Sequence, residues 1–321
     1  MKAAVLRSFG EPPRYEEFPT PVAGPGEALV HVRACALTRL TRSMADGAHY
    51  TAPSALPAVV GADGIGSLPD GQRVYTGDCR PPYGMMAEWT VVPRSRCVPV
   101  PEGIDDLTAA TLPNAAISSW FALVYRARLA KGETVLILGA TGVAGKLAVS
   151  IAKHLGARKV VAAGRDEAVL RSLPAIGADA VVSLRSSDPN LSATLRREAG
   201  DGPFDVVLDY LWGHSAEIYL DLMTGHGPAQ VVHRSRFVSI GSMASPTASV
   251  PSAALRSSGL EILGSGIGSV PISAFAESLP EIWSLAARGI LVVDTERVPL
   301  QEVTAAWGRA EPKGRRIVVV P

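Results

Sequence analysis

Residues 134–166 decide the fold, and they read "TVLILGATGVAGKLAVSIAKHLGARKVVAAGRD". The run 136–138 is typical of the end of a buried strand, and 146–155 continues as a helix. Between them lies a turn of small residues. Gly142 allows the backbone to approach a phosphate, and Gly145 allows the helix to pack on the strand. The free N–H groups at the helix N-terminus attract the anion.

This context makes the turn a specific signal, because a strand precedes it, a helix follows it, and a second strand comes next. The pattern predicts a bound dinucleotide with its pyrophosphate at the helix N-terminus. The alternative is a glycine turn with a purely structural role. The residues predicted to hold the pyrophosphate are Ala140, Thr141, Gly142, Val143, Ala144 and Gly145.

The end of the second strand, "KVVAAGR", distinguishes between the two nicotinamide cofactors. An acidic residue about 20 positions after the last motif glycine would bind the ribose 2′-OH of NAD. Gly164 and Arg165 occupy that place, and a guanidinium there can bind a 2′-phosphate. Asp166 is interpreted as the cap of the next helix. The sequence therefore favours NADP(H) over NAD, with a solvated surface role for Arg165 as the alternative.

Strands and helices alternate beyond residue 118, which predicts a parallel sheet covered on both faces. The chain is thus predicted to be an α/β protein with a doubly wound domain at 118–267. Residues 1–117 form a β-rich first part, and 268–321 return to it. The six predicted strands are "TVLILGA", "KVVAAGR", "AVVSL", "FDVVLDY", "RFVSIGS" and "LEILGSG".

The β-rich part shows the period of a half-buried strand. In "ALVHVRA", Val30, Val32 and Ala34 share one face, while His31 and Arg33 share the other. A helical spacing replaces this period in "NAAISSWFALVYRARLAKGE", at 114–133.

Composition excludes several function classes. The 321 residues are 47% hydrophobic and carry a formal net charge of +1, so no basic field favours nucleic acid or anionic lipid. The N-terminal stretch lacks the apolar segment of a signal peptide, and no uninterrupted apolar run predicts a membrane span. We therefore expect a cytoplasmic protein. Its three cysteines and six histidines show no paired metal-ligand spacing.

Several further motifs together resemble the medium-chain dehydrogenase/reductases, and most closely their zinc-independent quinone oxidoreductase branch. The resemblance covers nearly the whole chain. It implies a Rossmann domain, a GroES-like catalytic domain built from both chain ends, and a homodimer. The motifs are "MKAAVLRSFG", "PTPVAGPGEALVHVRA", "VVGADGIG", "PYGMMAEWTVVP", "LAKGETVLILGATGVAGKLAVSIAKHLGA", "GADAVVSL", "FDVVLDY" and "VSIGS".

The resemblance also bears on zinc. The zinc alcohol dehydrogenases of this family place Cys, His and Cys at three motif positions, which here match Thr38, Ala62 and Asn114. Catalytic zinc needs about three protein ligands with nitrogen, sulfur or carboxylate donors. We therefore expect no zinc. Hydride transfer without a metal needs an acceptor that delocalises negative charge, such as a quinone or an α,β-unsaturated carbonyl.

The catalytic motif departs from that of the family. Related quinone reductases carry Asn, Asp, Tyr and Arg where this chain has Thr38, Thr41, Ser43 and Ala45, so the substrate role of that tyrosine cannot be transferred. Thr38 is the first candidate for a hydroxyl that binds the nicotinamide ribose or the substrate, with local backbone bonding as its alternative. Tyr50 is the second candidate, with a packing role as its alternative.

Residues at the ends of later strands are expected at the ligand-binding edge of the sheet. We predict cofactor contacts from Asp209, Gly241, Gly264 and Ser265. The sequence thus predicts an NADPH-dependent reductase of quinones or enones. An enoyl-thioester reductase and a non-catalytic NADP(H)-binding redox sensor remain as alternatives.

Overall fold

The computed structural model of the chain describes residues 1–224, 233–266, 268–271, 273–309 and 315–321. The chain divides into a first unit, Met1–Asn114 with Glu281–Pro321, and a second unit, Ala115–Pro280. The sequence places these boundaries at 117/118 and 267/268. Ile267, at the second of them, lies outside the described residues.

Strands dominate the first unit. In the longest of them, Val30, Val32 and Ala34 are buried while His31 and Arg33 are exposed, as the alternating pattern predicts. The first helix of this unit is α1 (Arg39–Ala45). The strands before residue 114 are β1 (Lys2–Leu6), β2 (Arg14–Glu17), β3 (Glu27–Ala36), β4 (Ala58–Val59), β5 (Asp63–Ser67), β6 (Arg73–Gly77), β7 (Trp89–Pro93) and β8 (Val98–Pro99).

Glycines of the "VVGADGIG" motif let β5 lie close to β3. A Cβ at Gly64 would fall 2.5 Å from the Ala34 carbonyl oxygen, and one at Gly66 would fall 2.2 Å from Val30 Cγ1. Both contacts are closer than van der Waals packing allows, so the motif serves the architecture of the first unit.

The helix that leads into the second unit begins earlier than the sequence predicts. Helix α2 spans Asp106–Trp120, and the chain continues as a π-helical turn over Phe121–Arg126. Asp106 stabilises the start of α2, because its carboxylate binds Arg33 Nε at 2.6 Å and Arg73 Nη2 at 2.7 Å. Within the described ranges, Asp106–Arg126 is long and apolar enough to span a membrane, but 72% of its apolar window is buried inside the protein.

The second unit contains the six strands that the sequence predicts. They are β9 (Thr134–Leu138), β10 (Lys159–Gly164), β11 (Ala180–Ser183), β12 (Val206–Asp209), β13 (Arg234–Ser239) and β14 (Gly259–Gly264). The helices of this unit are α3 (Val143–His154), α4 (Glu167–Ser172), α5 (Asp188–Ala199), α6 (His214–Leu222) and α7 (Ser252–Ser257), and α8 (Ser273–Ala287) begins in it.

All six strands are parallel neighbours in the order β11-β10-β9-β12-β13-β14. This is the order of the doubly wound dinucleotide-binding fold, whose two halves meet between the first and fourth strands. The predicted α/β fold class is therefore confirmed. Every residue of β9 is buried, because helices cover both faces of such a sheet.

The C-terminal segment completes the first unit through β15 (Asp294–Pro299), α9 (Val303–Gly308) and β16 (Arg315–Val320). Strand β16 pairs with β3, where Val318 lies opposite Ala36. Arg316 on this strand is buried, and its Nη1 donates to the Leu37 carbonyl at 3.3 Å. Ile317, Val318 and Val319 are buried beside it.

Candidate functional site

The turn after β9 has the geometry of an anion-binding turn. Gly139 has a φ of +95°, in the left-handed region that favours glycine. Gly142 is the N-cap of α3, and in the described ranges no side chain caps the first N–H groups of this helix. A helix N-terminus without a side-chain cap offers its N–H groups and positive dipole to a phosphate. Sequence reasoning missed Gly139, although it stands directly after the strand.

Two glycines of the site are required by internal packing. A Cβ at Gly145 would lie 2.3 Å from the Gly139 carbonyl oxygen. A Cβ at Gly164, the last residue of β10, would lie 2.4 Å from Thr141 Cγ2. Ala140 is fully buried and Val143 nearly so. The turn is therefore packed tightly against the end of β10.

Gly142 differs from these two glycines. Its φ of −79° suits any residue, and a Cβ there would meet, among the described atoms, just the Gly139 carbonyl oxygen at 3.6 Å. The protein's own packing does not require glycine at this exposed position. A Cβ would instead fill space in front of the uncapped N-terminus of α3, which fits a pyrophosphate held against the backbone.

A positively charged side chain, Arg165, lies between the end of β10 and the N-terminus of α4. Arg165 is exposed. Asp166 caps α4, because its Oδ1 accepts from the N–H groups of Ala168 at 3.0 Å and Val169 at 3.1 Å. The predicted capping role of Asp166 is confirmed.

A second guanidinium lies at the same place. Arg185 Nε donates to the Arg165 carbonyl at 2.8 Å, and both side chains are exposed. The pairing of β10 with β11, which sets Gly164 opposite Ser183, brings these residues together. Ser183 Oγ donates to a Glu167 carboxylate oxygen at 2.5 Å, so one acid also stands at this edge. Sequence reasoning missed Arg185; its position just beyond a predicted strand end was the available signal.

Asp209 serves the turn that follows β12. It is fully buried, and its Oδ1 accepts from the N–H groups of Leu211 at 2.9 Å and Trp212 at 3.1 Å. Burial raises the pKa of this carboxyl to about 6, and the two N–H groups partly offset that effect. Trp212 has a φ of 58°, an uncommon conformation for a bulky residue. A ribose contact by Asp209 stays a prediction.

Tyr210 links three elements of the site. Its hydroxyl shares a hydrogen bond of 2.7 Å with Ser119 Oγ. Ser119 Oγ also donates to the Ala144 carbonyl, in the first turn of α3, at 3.2 Å. Burial raises the pKa of the Tyr210 phenol to about 12. Sequence reasoning missed Ser119, because no local signal connects α2 to α3.

The remaining predicted cofactor residues lie at the same edge of the sheet. Gly241 follows β13, and a Cβ there would lie 3.0 Å from the Tyr210 carbonyl oxygen. Gly264 ends β14, while Ser265 is buried and its N–H donates to the Ser239 carbonyl at 2.8 Å. The predicted cofactor residues thus share the carboxyl edge of one sheet, where ligands bind in this fold.

The candidate catalytic residues of the first unit are arranged differently. Thr38 is 2% exposed and caps α1, since its Oγ1 accepts from the Thr41 N–H at 3.1 Å. This is the local backbone role that the sequence left as the alternative. Tyr50 is 72% exposed, and its ring stacks on His49 with centroids 4.1 Å apart. Catalytic roles for Thr38 and Tyr50 stay predictions.

A polar cluster around the buried Asp63 includes Asn114, one of the three positions that match zinc ligands. Asn114 Nδ2 donates to Asp63 Oδ1 at 3.3 Å, and the Tyr75 hydroxyl donates to Oδ2 at 2.6 Å. Burial raises the pKa of Asp63 to about 6, while these two hydrogen bonds and the charge of Arg316 lower it in part. In the described part of the chain, no group of three or more His, Cys, Asp or Glu residues is arranged to hold a metal ion.

Strand order and glycine turn together define a dinucleotide-binding Rossmann unit, joined in one chain to a β-rich GroES-like unit. The chain belongs to the medium-chain dehydrogenase/reductase superfamily, in the quinone oxidoreductase-like branch. A family model described as "Zinc-binding dehydrogenase" matches residues 143–287. That range contains none of the three positions that match zinc ligands.

Individual relatives agree with this placement. A probable NADPH-dependent quinone reductase of Emericella nidulans, tdiC, is 30% identical, with all of both chains covered. The quinone oxidoreductase of Thermus thermophilus, whose structure was also solved with NADPH, superimposes with a TM-score of 0.81 at 27% identity, covering all of both chains. The trans-enoyl reductase pgmF of Aspergillus terreus is 29% identical over 45% of this chain and 39% of its own length.

Proposed function

We propose that this protein is an NADPH-dependent, zinc-independent oxidoreductase that reduces quinones or α,β-unsaturated carbonyl compounds. One observation carries the cofactor assignment. At the end of β10, where an acidic residue would bind the ribose of NAD, Arg165 stands beside the guanidinium of Arg185. Two guanidinium groups favour a phosphate over a hydroxyl.

Different residues of the second unit would bind different parts of the cofactor. Gly142 and the N-terminus of α3 would hold the pyrophosphate, and Arg165 with Arg185 would hold the 2′-phosphate. Gly241, Gly264 and Ser265 lie in the half of the sheet that binds the second mononucleotide. When bound, NADPH supplies a hydride from C4 of its nicotinamide ring.

The residues at the zinc-ligand positions support an acceptor that needs no metal. Thr38 caps a helix, Ala62 has no donor atom, and the Asn114 amide binds Asp63. Such residues cannot assemble the three ligands of a catalytic zinc site. Quinones and enones accept a hydride because they delocalise the resulting charge. The proton that completes the reduction would come from water or a hydroxyl group.

The two relatives that are named quinone reductases or oxidoreductases support the choice of acceptor, since both align with the whole chain. Similarity to a trans-enoyl reductase favours a second candidate, the reduction of enoyl thioesters, over a shorter region. The altered motif at 38–45 motivates a third candidate, a non-catalytic NADP(H)-binding redox sensor.

A titration followed by an acceptor panel separates these candidates. Chelator-treated protein is titrated with NADPH and NADH, and then a para-quinone or an enoyl thioester is added while the absorbance of reduced nicotinamide is read. We expect tighter binding of NADPH and quinone-dependent oxidation that EDTA does not change. Turnover with the thioester alone would favour the second candidate, and binding without turnover would favour the sensor. Activity that is lost with EDTA and restored by zinc would refute the zinc-independent assignment.

We further propose that the protein works as a cytoplasmic homodimer. Among the residues that the structure describes, β14 is the last strand of the parallel sheet of the second unit, and an edge strand of this kind can pair with another chain. Ile262 on this strand is 36% exposed. An edge strand with an exposed apolar side chain is suited to pairing with a second copy of the chain.

A further inference from the structure

The π-helical turn that follows α2 is the starting observation. In this turn the Ala127 N–H donates to the Ala122 carbonyl at 2.8 Å, five residues back. A π turn adds one residue to the helix, and it rotates the side chains that follow by about 100°. Such turns are frequent at functional sites. The last residue of this turn is Arg126.

Arg126 donates to two backbone carbonyls, one at the end of β14 and one at Ser269. Its Nε donates to the Gly264 carbonyl at 2.7 Å, and its Nη1 donates to the Ser269 carbonyl at 3.3 Å. Between these points, Ser269 Oγ accepts from the Gly266 N–H at 2.9 Å. The planar guanidinium thus joins the end of β14 to the turn that follows.

Other contacts keep the π turn itself in place. The Phe121 ring meets the rings of Tyr125 and Phe275 edge to face, with centroids 5.6 and 5.2 Å away. The Tyr125 hydroxyl donates to Glu277 Oε2 at 3.3 Å. Arg126 therefore projects from a turn that aromatic packing fixes against the start of α8.

Strand pairing already fixes Gly264, which lies opposite Ser239 of β13, so the Arg126 bond adds to that pairing. A Cβ at Gly264 or at Gly266 would meet no described atom within 4 Å. The Ser265 N–H bond to Ser239 extends that pairing by one residue, and the space around the glycines on either side is open to a ligand. The two bonds from Arg126 therefore hold the Gly264 and Ser269 carbonyls close to the place where the pairing with β13 ends.

We infer that Arg126 is a positioning residue for the nicotinamide end of the cofactor. The inference rests on the proposed function. Strands β12–β14 form the half of the Rossmann sheet that binds the second mononucleotide, and Gly264–Ser265 is where β14 reaches the ligand edge. Arg126 acts through this backbone and needs no contact with the cofactor. The adenosine half, at β9–β11, is held by other residues.

Two ligands that share the adenosine end can test whether Arg126 affects only the nicotinamide end. NADPH contains both halves, whereas 2′-phospho-ADP-ribose lacks the nicotinamide ring. In Arg126→Ala we expect the Kd for NADPH to rise about tenfold, because two hydrogen bonds from a charged donor are lost. The Kd for 2′-phospho-ADP-ribose should stay within about twofold of the wild-type value. Arg126→Lys keeps the positive charge but loses the two-pronged guanidinium, so its Kd for NADPH should lie between those of the wild type and Arg126→Ala.

Matched variants make the result specific. Tyr125→Phe removes one hydroxyl from the same π turn, and Arg196→Ala removes an exposed arginine from α5; both should bind the two ligands as the wild type does. Equal losses for both ligands in Arg126→Ala, or no loss for either, would overturn the inference. Failure of the wild-type protein itself to bind NADPH would instead refute the proposed cofactor.

Discussion

Gly142 and Gly145 show how two similar residues of one motif differ in role. A Cβ at Gly145 would collide with the Gly139 carbonyl, whereas one at Gly142 would make an ordinary contact. The sequence predicts a small residue at both positions. Only the tertiary structure distinguishes the glycine that the fold needs from the glycine whose space a ligand would use.

The first prediction concerns these two glycines. Gly145→Ala should lower the free energy of unfolding by about 1–3 kcal/mol, because backbone atoms must move to admit the methyl group. Gly142→Ala should leave the urea midpoint unchanged yet weaken NADPH binding, since the methyl group enters the proposed phosphate site. Urea denaturation and NADPH titration of both variants measure this. Unchanged NADPH affinity in a folded Gly142→Ala would argue against the site.

The second prediction concerns Arg165 and Arg185. Changing either to alanine should raise the Kd for NADPH by about tenfold and leave that for NADH unchanged, because a charged hydrogen bond to the 2′-phosphate is lost. The double variant should bind both cofactors equally. Arg171→Ala, an exposed change on α4, is the matched control. Parallel losses for NADH and NADPH would place the two arginines outside a 2′-phosphate site.

The third prediction concerns the pH dependence of stability. Burial raises the pKa of Asp63 from 3.8 to about 6, so the folded protein holds this proton more tightly than the unfolded chain. The stabilisation that the protonated Asp63 carboxyl contributes to the folded state is fully present below pH 3.8 and is lost as the pH rises through 6. Asp63→Asn removes this dependence. Between pH 5 and 7.5 the free energy of unfolding of the variant should rise by about 1 kcal/mol relative to that of the wild type.

Urea denaturation of both proteins at several pH values across this range tests the prediction. The exposed Asp201→Asn provides a control for a changed surface charge. If the free energies of unfolding of wild type and Asp63→Asn change in parallel across this range, the Asp63 carboxyl does not titrate there.

At the scale of elements, strand β13 carries two arginines in contrasting surroundings. The Arg236 side chain is 3% exposed, and it binds Glu133 Oε1 at 2.5 Å and the Ala127 carbonyl at 2.7 Å. It thus connects β13 with the chain that leaves α2 and enters β9. Arg234 pairs with Glu261 on the neighbouring strand, and its side chain is 61% exposed.

The fourth prediction compares these two arginines. Arg236→Met should lower the free energy of unfolding by about 3 kcal/mol, because Glu133 and a buried carbonyl lose their partner. Arg234→Met should not change the urea midpoint measurably, since exposed ion pairs contribute little. Equal effects of the two changes would show that burial of the Arg236 pair does not matter.

Element types were predicted more accurately than element limits. All six strands of the parallel sheet appear where their β-branched runs predict them. Helix α2, by contrast, begins at Asp106, before the predicted segment at 114–133. Pro113 lies inside it, and the two arginines that bind Asp106 come from β3 and β6. Local propensity cannot report such tertiary support.

At the scale of the whole molecule, the fifth prediction concerns oligomeric state. A homodimer through β14 should sediment with twice the mass of one 33.5 kDa chain. Ile262→Lys places a charge on the exposed face of that edge strand and should shift the mass to that of one chain. Val181→Lys, on the opposite edge strand β11, is the control, because Val181 is similarly exposed at 39%. A single-chain mass for the wild type would refute the dimer.

The sequence by itself determined the fold class, the glycine turn and the cation at the end of β10. These features follow from the spacing of apolar residues and from turn chemistry, which act over a few neighbouring positions. It also predicted the helix cap at Asp166, for the same reason.

Only the tertiary structure decided which distant residues meet. Parallel pairing sets Arg185 beside Arg165, and the π turn brings Arg126 to Gly264 from a distant part of the sequence. The structure also turns Asp209 and Thr38 toward nearby backbone, where the sequence had suggested ligands. Local patterns specify strands and helices, but the packing of the whole chain specifies the partners of each side chain.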